Sequence, residues 1–412
     1  MPTRRPGRAD SRPRPCRHSS GVRGAIHSQT PRGRCQWWPN VTRRPDRRAI
    51  MNHPVVGPIA TALPTPSLDR ARSFEIADLL SPDDVSRPVL QRLHDKTGID
   101  TRRVSVIEPD GSIPLYGIAA PGEPSTPRVP GTGERMRAYE QGAGPLANRA
   151  AAGALERSGT PAASITHVVT ASCTGFGAPG IDLGIIDALG LPSSTRRTHV
   201  GFMGCHAAVN ALAVARGFAS ESAENRVLVT CVEISTVHFH HARRLDRLIS
   251  NILFADGAAS TVVTMNPAVP ASTAHLAATS ARIIPDSRDA MAWEIGDHGF
   301  EMTLAAEVPT LIAAAIREWV DETLAEHGLD RTAIGGWAIH PGGPKVIDAV
   351  SDALELPAGA DAISRAVLRD CGNMSSATLL HILERFQLED VPRPWVGLAF
   401  GPGLAGELIL IR

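Results

Sequence analysis

Three side chains in this 412-residue sequence are of the types that together carry acyl-transfer chemistry: Cys205, His340 and Asn373. Cys205 lies within THVGFMGCHAAVNALAVARGFA, residues 198–219. Val200 and Phe202 carry a short apolar run there, Gly201 and Gly204 allow a sharp turn, and Ala207, Ala208, Ala211, Ala213 and Ala215 are strong helix formers. The stretch therefore predicts strand, tight turn and helix, with the cysteine at the helix start. Backbone N–H groups at that end have no partner within the helix, and the helix dipole is positive there, so thiolate is favoured over thiol. The alternative is a cysteine acting as a small buried hydrophobe. His340 closes the apolar run GWAIH and leads into PGGP, residues 341–344; Asn373 sits in CGNMSS, residues 371–376, ahead of a predicted helix. Singly, His340 reads as a satisfied histidine at a strand end, and Asn373 as a helix N-cap. As a set, the histidine would activate the thiol and the amide would orient or stabilise an oxyanion.

The elements that must position this set alternate between strand and helix. A helix is predicted from Asp84 to Lys96, with Val85, Val89, Leu90 and Leu93 as its apolar stripe. Residues 144–158 give an alanine-rich helix, His167–Ala171 a strand, Cys173–Gly180 (CTGFGAPG) a turn-rich loop, and Asp182–Leu189 a helix closing on Gly190. After the cysteine segment come a strand at Arg226–Cys231 and ADGAAS, residues 255–260, ahead of a strand at Thr261–Thr264. Beyond about residue 270 the pattern restarts: strand Ala281–Ile284, helix Glu307–His327, strand Gly336–His340, helix Lys345–Ala353, helix Ala377–Phe386, and strands Trp395–Phe400 and Glu407–Ile411. This alternation implies an α/β layered fold with a mostly parallel sheet, built of two similar halves. The division expected is 1–50, 51–270 and 271–412, the nucleophile in the middle segment and the histidine and asparagine in the last.

The first fifty residues stand apart. They hold thirteen arginines, no lysine and two aspartates, a balance of +11, so the remainder carries −11 of the net zero. Rich in Arg, Pro, Ser and Gly and lacking an apolar h-region, they predict disorder rather than a signal peptide or packed domain. A basic tail, an organelle transit segment, and translated sequence ahead of a start at Met51 are the open readings, and the abrupt change of composition at Met51 favours the last. The acidic remainder suggests no nucleic-acid partner. No apolar run approaches the ~18 residues of a membrane span. Six scattered cysteines without a CxxC pair argue against a disulfide framework or structural zinc and fit a reducing, cytoplasmic setting. The histidines of HFHH, residues 238–241, lack a matching cysteine or carboxylate cluster and make a poor ligand set, so no metal site is expected.

The blocks THVGFMGCHAAVNALAVARGFA, GGWAIHPGGPKVID, GNMSSATLLHILE and AFGPGLAGE resemble, in order and spacing, the motifs of chalcone synthase-like type III polyketide synthases, over nearly all of residues 55–412. The resemblance implies a thiolase-like αβαβα fold of two related halves, a cytoplasmic homodimer, acyl-CoA and malonyl-CoA as substrates, and no further cofactor. It implies that Cys205 takes the starter acyl group with its thiolate paired to protonated His340. His340 and Asn373 would hold the malonyl thioester carbonyl during decarboxylation. Phe239 matches the family's gating phenylalanine, Cys173 a pocket position held by threonine in plant members, and Met302 stands near a second gate. Arg92 and Lys96, four apart on one helix face, match cationic positions that hold coenzyme A phosphates; a third falls on Val89, which cannot. Ala178 replaces a plant methionine that reaches into the partner's cavity. The wording GFMGCH and IGDHGF is closer to bacterial alkylpyrone and alkylresorcinol synthases. Small residues there suit a long acyl starter, which Trp293 would oppose.

Overall fold

SATLLHILERFQL forms the helix Ser376–Leu388, in which every residue from Ser376 to Glu384 is buried, the polar His381 and Glu384 included. Beside it lies the alanine-rich helix Ala207–Glu221, with seven buried residues. The two helices share one core with the inner faces of two sheets, through Val227, Val229 and Cys231 on one side and Trp395, Ala399 and Ile409 on the other. The computed structural model describes residues 53–82, 85–241, 245–267 and 274–412. The expectations for residues 1–50, and the first residue of the helix expected from Asp84, lie outside those residues.

One sheet has the order Val55–Val56, Asp256–Thr264, Arg226–Ile234, His167–Ser172, Arg196–Gly201, with Ala60–Ala62 also paired to Asp256–Thr264. The other runs Gly336–Ile339, Trp395–Gly401, Ala405–Ile411, Leu276–Ile283. Alternate residues of these strands face opposite sides. Leu228, Val232 and Ile234 thus meet the helices Thr132–Ser158 and Ile181–Leu189 on the outer face of the first sheet. Val396, Leu398 and Phe400 meet Val308–Glu326 and Pro344–Ala353 outside the second. The result is five layers, helix, sheet, helix, sheet, helix, the thiolase-like arrangement expected.

Two expectations about the strands are corrected. The sheets are mixed: His167–Ser172 is parallel to both neighbours, but Arg226–Ile234 runs antiparallel to Asp256–Thr264, and in the second sheet only Gly336–Ile339 and Trp395–Gly401 are parallel. Residues 255–260 do not simply precede a strand; all but Ala255 belong to it. The central layer presses on Gly257 in particular: a Cβ there would lie 2.5 Å from the Met374 sulfur. In the helix Arg87–Lys96, Val89 is exposed and His94, hydrogen-bonded to Ser73, is buried instead. The hairpin Met291–Gly296 and Gly299–Leu304 was not foreseen.

Among the described residues no helix is long and apolar enough to cross a membrane. Leu380, fully buried in the central layer, tests the account of the core. Leu380→Ala is expected to lower unfolding free energy by about 2–5 kcal/mol, read as a reduced denaturant midpoint with an unchanged slope.

Candidate active site

Cys205 is delivered by the end of Arg196–Gly201. The chain turns at Phe202, whose φ of 57° is unusual for a bulky side chain, and at Gly204, with φ of 67°. A short 3₁₀ turn, Gly204–His206, then runs into Ala207–Glu221, so the cysteine sits one turn before the helix start. No other residue fits at Gly204, because a Cβ there would lie 2.4 Å from Cδ of Pro402.

The thiol opens into a small cavity of about 40 Å³ lined by Cys173, Ser235, Phe254, Trp293, Met302 and Ser375, among others. Cys173 follows the neighbouring strand; its sulfur accepts from the Gly204 N–H at 2.9 Å, and its carbonyl accepts from Trp293 Nε1 at 2.7 Å. Burial pushes the Cys205 thiol up to about 12, while the Ser375 hydroxyl and the Asn373 amide pull it back down. The helix start alone predicted a depressed value; removal from water outweighs it. His340 is fully buried beside His206, and burial holds its imidazole at about 3. Both shifts, caused by burial, favour the uncharged forms.

Asn373 does not cap the following helix. Its Oδ1 accepts from the Ser375 N–H at 2.8 Å, which fixes the amide and leaves Nδ2 free. Among the described residues Nδ2 has no partner, and neither ring nitrogen of His340 has one. Buried polar groups are rarely left unpaired. The Asn373 amide is close enough to the Cys205 thiol to lower its pKa, and His340 lies close to His206, the residue after the cysteine; neither His340 nor Asn373 lines the cavity.

Other expected residues lie elsewhere. Phe239 does not line this cavity; it is buried with Leu68, Ile76 and Tyr116, its ring centroid 5.6 Å from that of Tyr116. Arg92 and Lys96 are exposed on the helix Arg87–Lys96 and line none of this cavity. The paired histidines hold the hairpin in place: His238 Nδ1 accepts from the Phe300 N–H at 2.9 Å, and His240 Nε2 meets the Phe300 carbonyl at 2.8 Å. Among the described residues no group of three or more His, Cys, Asp or Glu side chains is placed to hold a metal ion.

The sequence reading missed Ser375, at φ 47° beside the thiol, and Glu233. The buried Glu233 carboxylate accepts from Cys173 N–H at 2.9 Å, Thr174 Oγ1 at 2.8 Å and Ser376 Oγ at 2.5 Å, and burial raises its pKa. A lone acid in the mainly apolar strand RVLVTCVEI was the signal available.

A five-layered fold with a cysteine at the start of one central helix and an Asn-bearing loop at the start of the other defines a thiolase-fold acyltransferase. Residues 74–267 match the model of the chalcone and stilbene synthases' N-terminal domain and residues 275–412 that of their C-terminal domain. The chain belongs to the chalcone and stilbene synthase family of type III polyketide synthases. It is 32% identical over 363 residues to 1,3,6,8-tetrahydroxynaphthalene synthase of Streptomyces peucetius subsp. caesius, covering 87% of this chain and 92% of that one. It is 31% identical over 363 residues to the alpha-pyrone synthesis polyketide synthase-like Pks18 of Mycobacterium tuberculosis, covering 86% and 90%. Among solved structures, PKS-I of the brown alga Ectocarpus siliculosus superimposes with a TM-score of 0.80 at 29% identity, covering 87% of this chain and 98% of that one. The C-terminal type III polyketide synthase domain of Steely1 from Dictyostelium gives 0.79 at 24% identity, covering 87% and 99%, a likeness of fold.

Proposed function

We propose that this enzyme loads an acyl group from a coenzyme A thioester onto Cys205, extends it by repeated decarboxylative condensation with malonyl-CoA, and releases a cyclised product such as a pyrone, resorcinol or related phenolic. The observation that carries this is the set of buried atoms without partners on Asn373, close to the thiol, and on His340, close to His206 next to the cysteine in the chain. His340 takes the Cys205 proton as sulfur attacks the thioester, and the departing coenzyme A leaves as thiol. With malonyl-CoA bound, His340 and Asn373 donate to the thioester oxygen, where negative charge gathers as carbon dioxide leaves; the resulting enolate attacks the acyl-Cys205 carbonyl, and the C–S bond to Cys205 breaks. The extended chain, now on coenzyme A, is passed back to the freed Cys205 sulfur for the next round or cyclises. No cofactor beyond the coenzyme A substrates enters this scheme, and a cytoplasmic location belongs to the same reading.

Incubating the protein with labelled malonyl-CoA and acyl-CoA starters from acetyl to stearoyl tests it, with Cys205→Ala beside it. Multiply extended cyclic products that disappear in the variant are expected. A single extension would favour a ketoacyl synthase-type reaction instead, and no acylation of Cys205 by any starter would leave a binding protein.

Trp293 narrows the cavity wall beside Cys173. Trp293→Gly is expected to raise the ratio of kcat/KM for a long over a short acyl-CoA about tenfold or more. A homodimer is part of the proposal. Arg196–Gly201 is an edge strand with one neighbour among the described residues, and Phe176, Phe202 and Met203 are 53%, 39% and 37% exposed. Open edges and clustered exposed apolar groups favour pairing with another chain. Light scattering is expected to give twice the chain mass.

A further inference from the structure

Arg102 is 1% exposed, and no carboxylate is hydrogen-bonded or ion-paired to it among the described residues. Burial lowers its pKa to about 10, so it stays cationic at neutral pH. Such a charge is costly to bury without a strong set of acceptors. Those acceptors come from two separate segments. Nε and Nη2 donate to Ser73 Oγ at 3.1 and 2.7 Å, and Nη1 donates to the carbonyls of Asn251 and Phe254 at 2.6 and 2.9 Å.

The second segment holds the candidate site. Asn373 N–H donates to the Leu253 carbonyl at 3.0 Å, and Ala255 N–H donates to the Asn373 carbonyl at 2.8 Å, so the Asn373 backbone is clamped between residues 253 and 255. Phe254, between them, lines the cavity and gives its carbonyl to Arg102. Gly372 seals the junction: at φ 78°, a Cβ there would lie 2.9 Å from Ala255 Cβ and 3.1 Å from Arg102 Cγ. The other face of the guanidinium covers the Phe239 ring, 5.6 Å from its centroid.

We infer that Arg102 is a positioning residue for the condensation step: its planar fork fixes residues 251–254, and these fix the Asn373 backbone whose amide meets the thioester oxygen. This rests on the proposed role of Asn373. A lysine keeps the charge but offers a single nitrogen, which cannot span both carbonyls and Ser73. Starter loading uses the Cys205 thiol and does not pass through this clamp, so the two steps should separate.

The test measures both in Arg102→Lys and in Ser73→Ala, which loosens the fork without touching the charge. Burst acylation of Cys205 by labelled acyl-CoA, read by intact mass, is expected to stay within about twofold of wild type. kcat for condensation is expected to fall about ten- to a hundredfold in Arg102→Lys and less in Ser73→Ala, with little change in KM. In an Asn373→Ala background, Arg102→Lys is expected to cost nothing further, since both act through one amide. Equal loss of acylation and condensation, or independent effects in the double variant, would overturn the inference. If Arg102→Lys does not fold, an unaltered condensation rate in folded Ser73→Ala overturns it equally. Wild type run alongside separates the two proposals: without condensation there, the function proposal falls and takes this one with it.

Discussion

Replacing His340 or Asn373 with alanine is expected to lower kcat for condensation by about 10²- to 10³-fold each, with Cys205 acylation by starter surviving in Asn373→Ala. Each replacement removes a buried polar group that has no hydrogen-bond partner among the described residues. Donors placed in advance around developing charge, away from water, are worth about 2.7–4 kcal/mol apiece when removed. The double variant is expected to lose less than the product of the single losses, because both donors serve one oxygen. Because burial holds His340 at about 3, its neutral form supplies the donor across the neutral range. Protonation of His340 is therefore not expected to cause loss of activity as pH falls from 8 toward 5. Malonyl-CoA decarboxylation followed apart from chain transfer checks the assignment: an unchanged decarboxylation rate in both variants would remove these residues from that step.

Gly204→Ala is expected to be nearly as severe, for a reason of geometry. The glycine is at φ 67°, where a side chain costs about 1–2 kcal/mol, and the new Cβ would fall 2.4 Å from a ring carbon of Pro402 that is tied to the backbone. Either the loop at residues 402–404 or the turn carrying Cys205 must move. We expect a loss of stability of about 2–4 kcal/mol and a fall in kcat beyond what stability explains, since displacement of about 1 Å can cost a hundredfold. A variant with wild-type melting temperature and kcat would show that the turn is not held in this way.

Much of the architecture was legible in the sequence. Periodicity placed the helices Ile181–Leu189, Val308–Glu326 and Pro344–Ala353 within a residue or two at either end. The helix expected at Ala377–Phe386 was found as Ser376–Leu388, but its place in the central layer was not legible. The strand, turn and helix around Cys205 were legible because glycine and alanine act locally. Strand direction was not, since pairing of Arg226–Ile234 with Asp256–Thr264 depends on partners far apart in sequence. The strand beginning at Asp256 was hidden for a similar reason: Gly257 in it answers to Met374, over a hundred positions away.

For the site, the sequence by itself determined which groups can do the chemistry, a thiol, an imidazole and an amide, each on a segment whose local composition fixes a turn or helix start. The tertiary structure decided their state. Burial, which no local pattern reports, raised the Cys205 thiol and lowered His340, setting aside the helix dipole that the sequence favoured. It also seated Phe239 with Tyr116 and Arg102, and placed Ser375 and Glu233 around the cysteines. Solvation and contact depend on what the rest of the chain brings within a few ångströms, and only the folded chain specifies that.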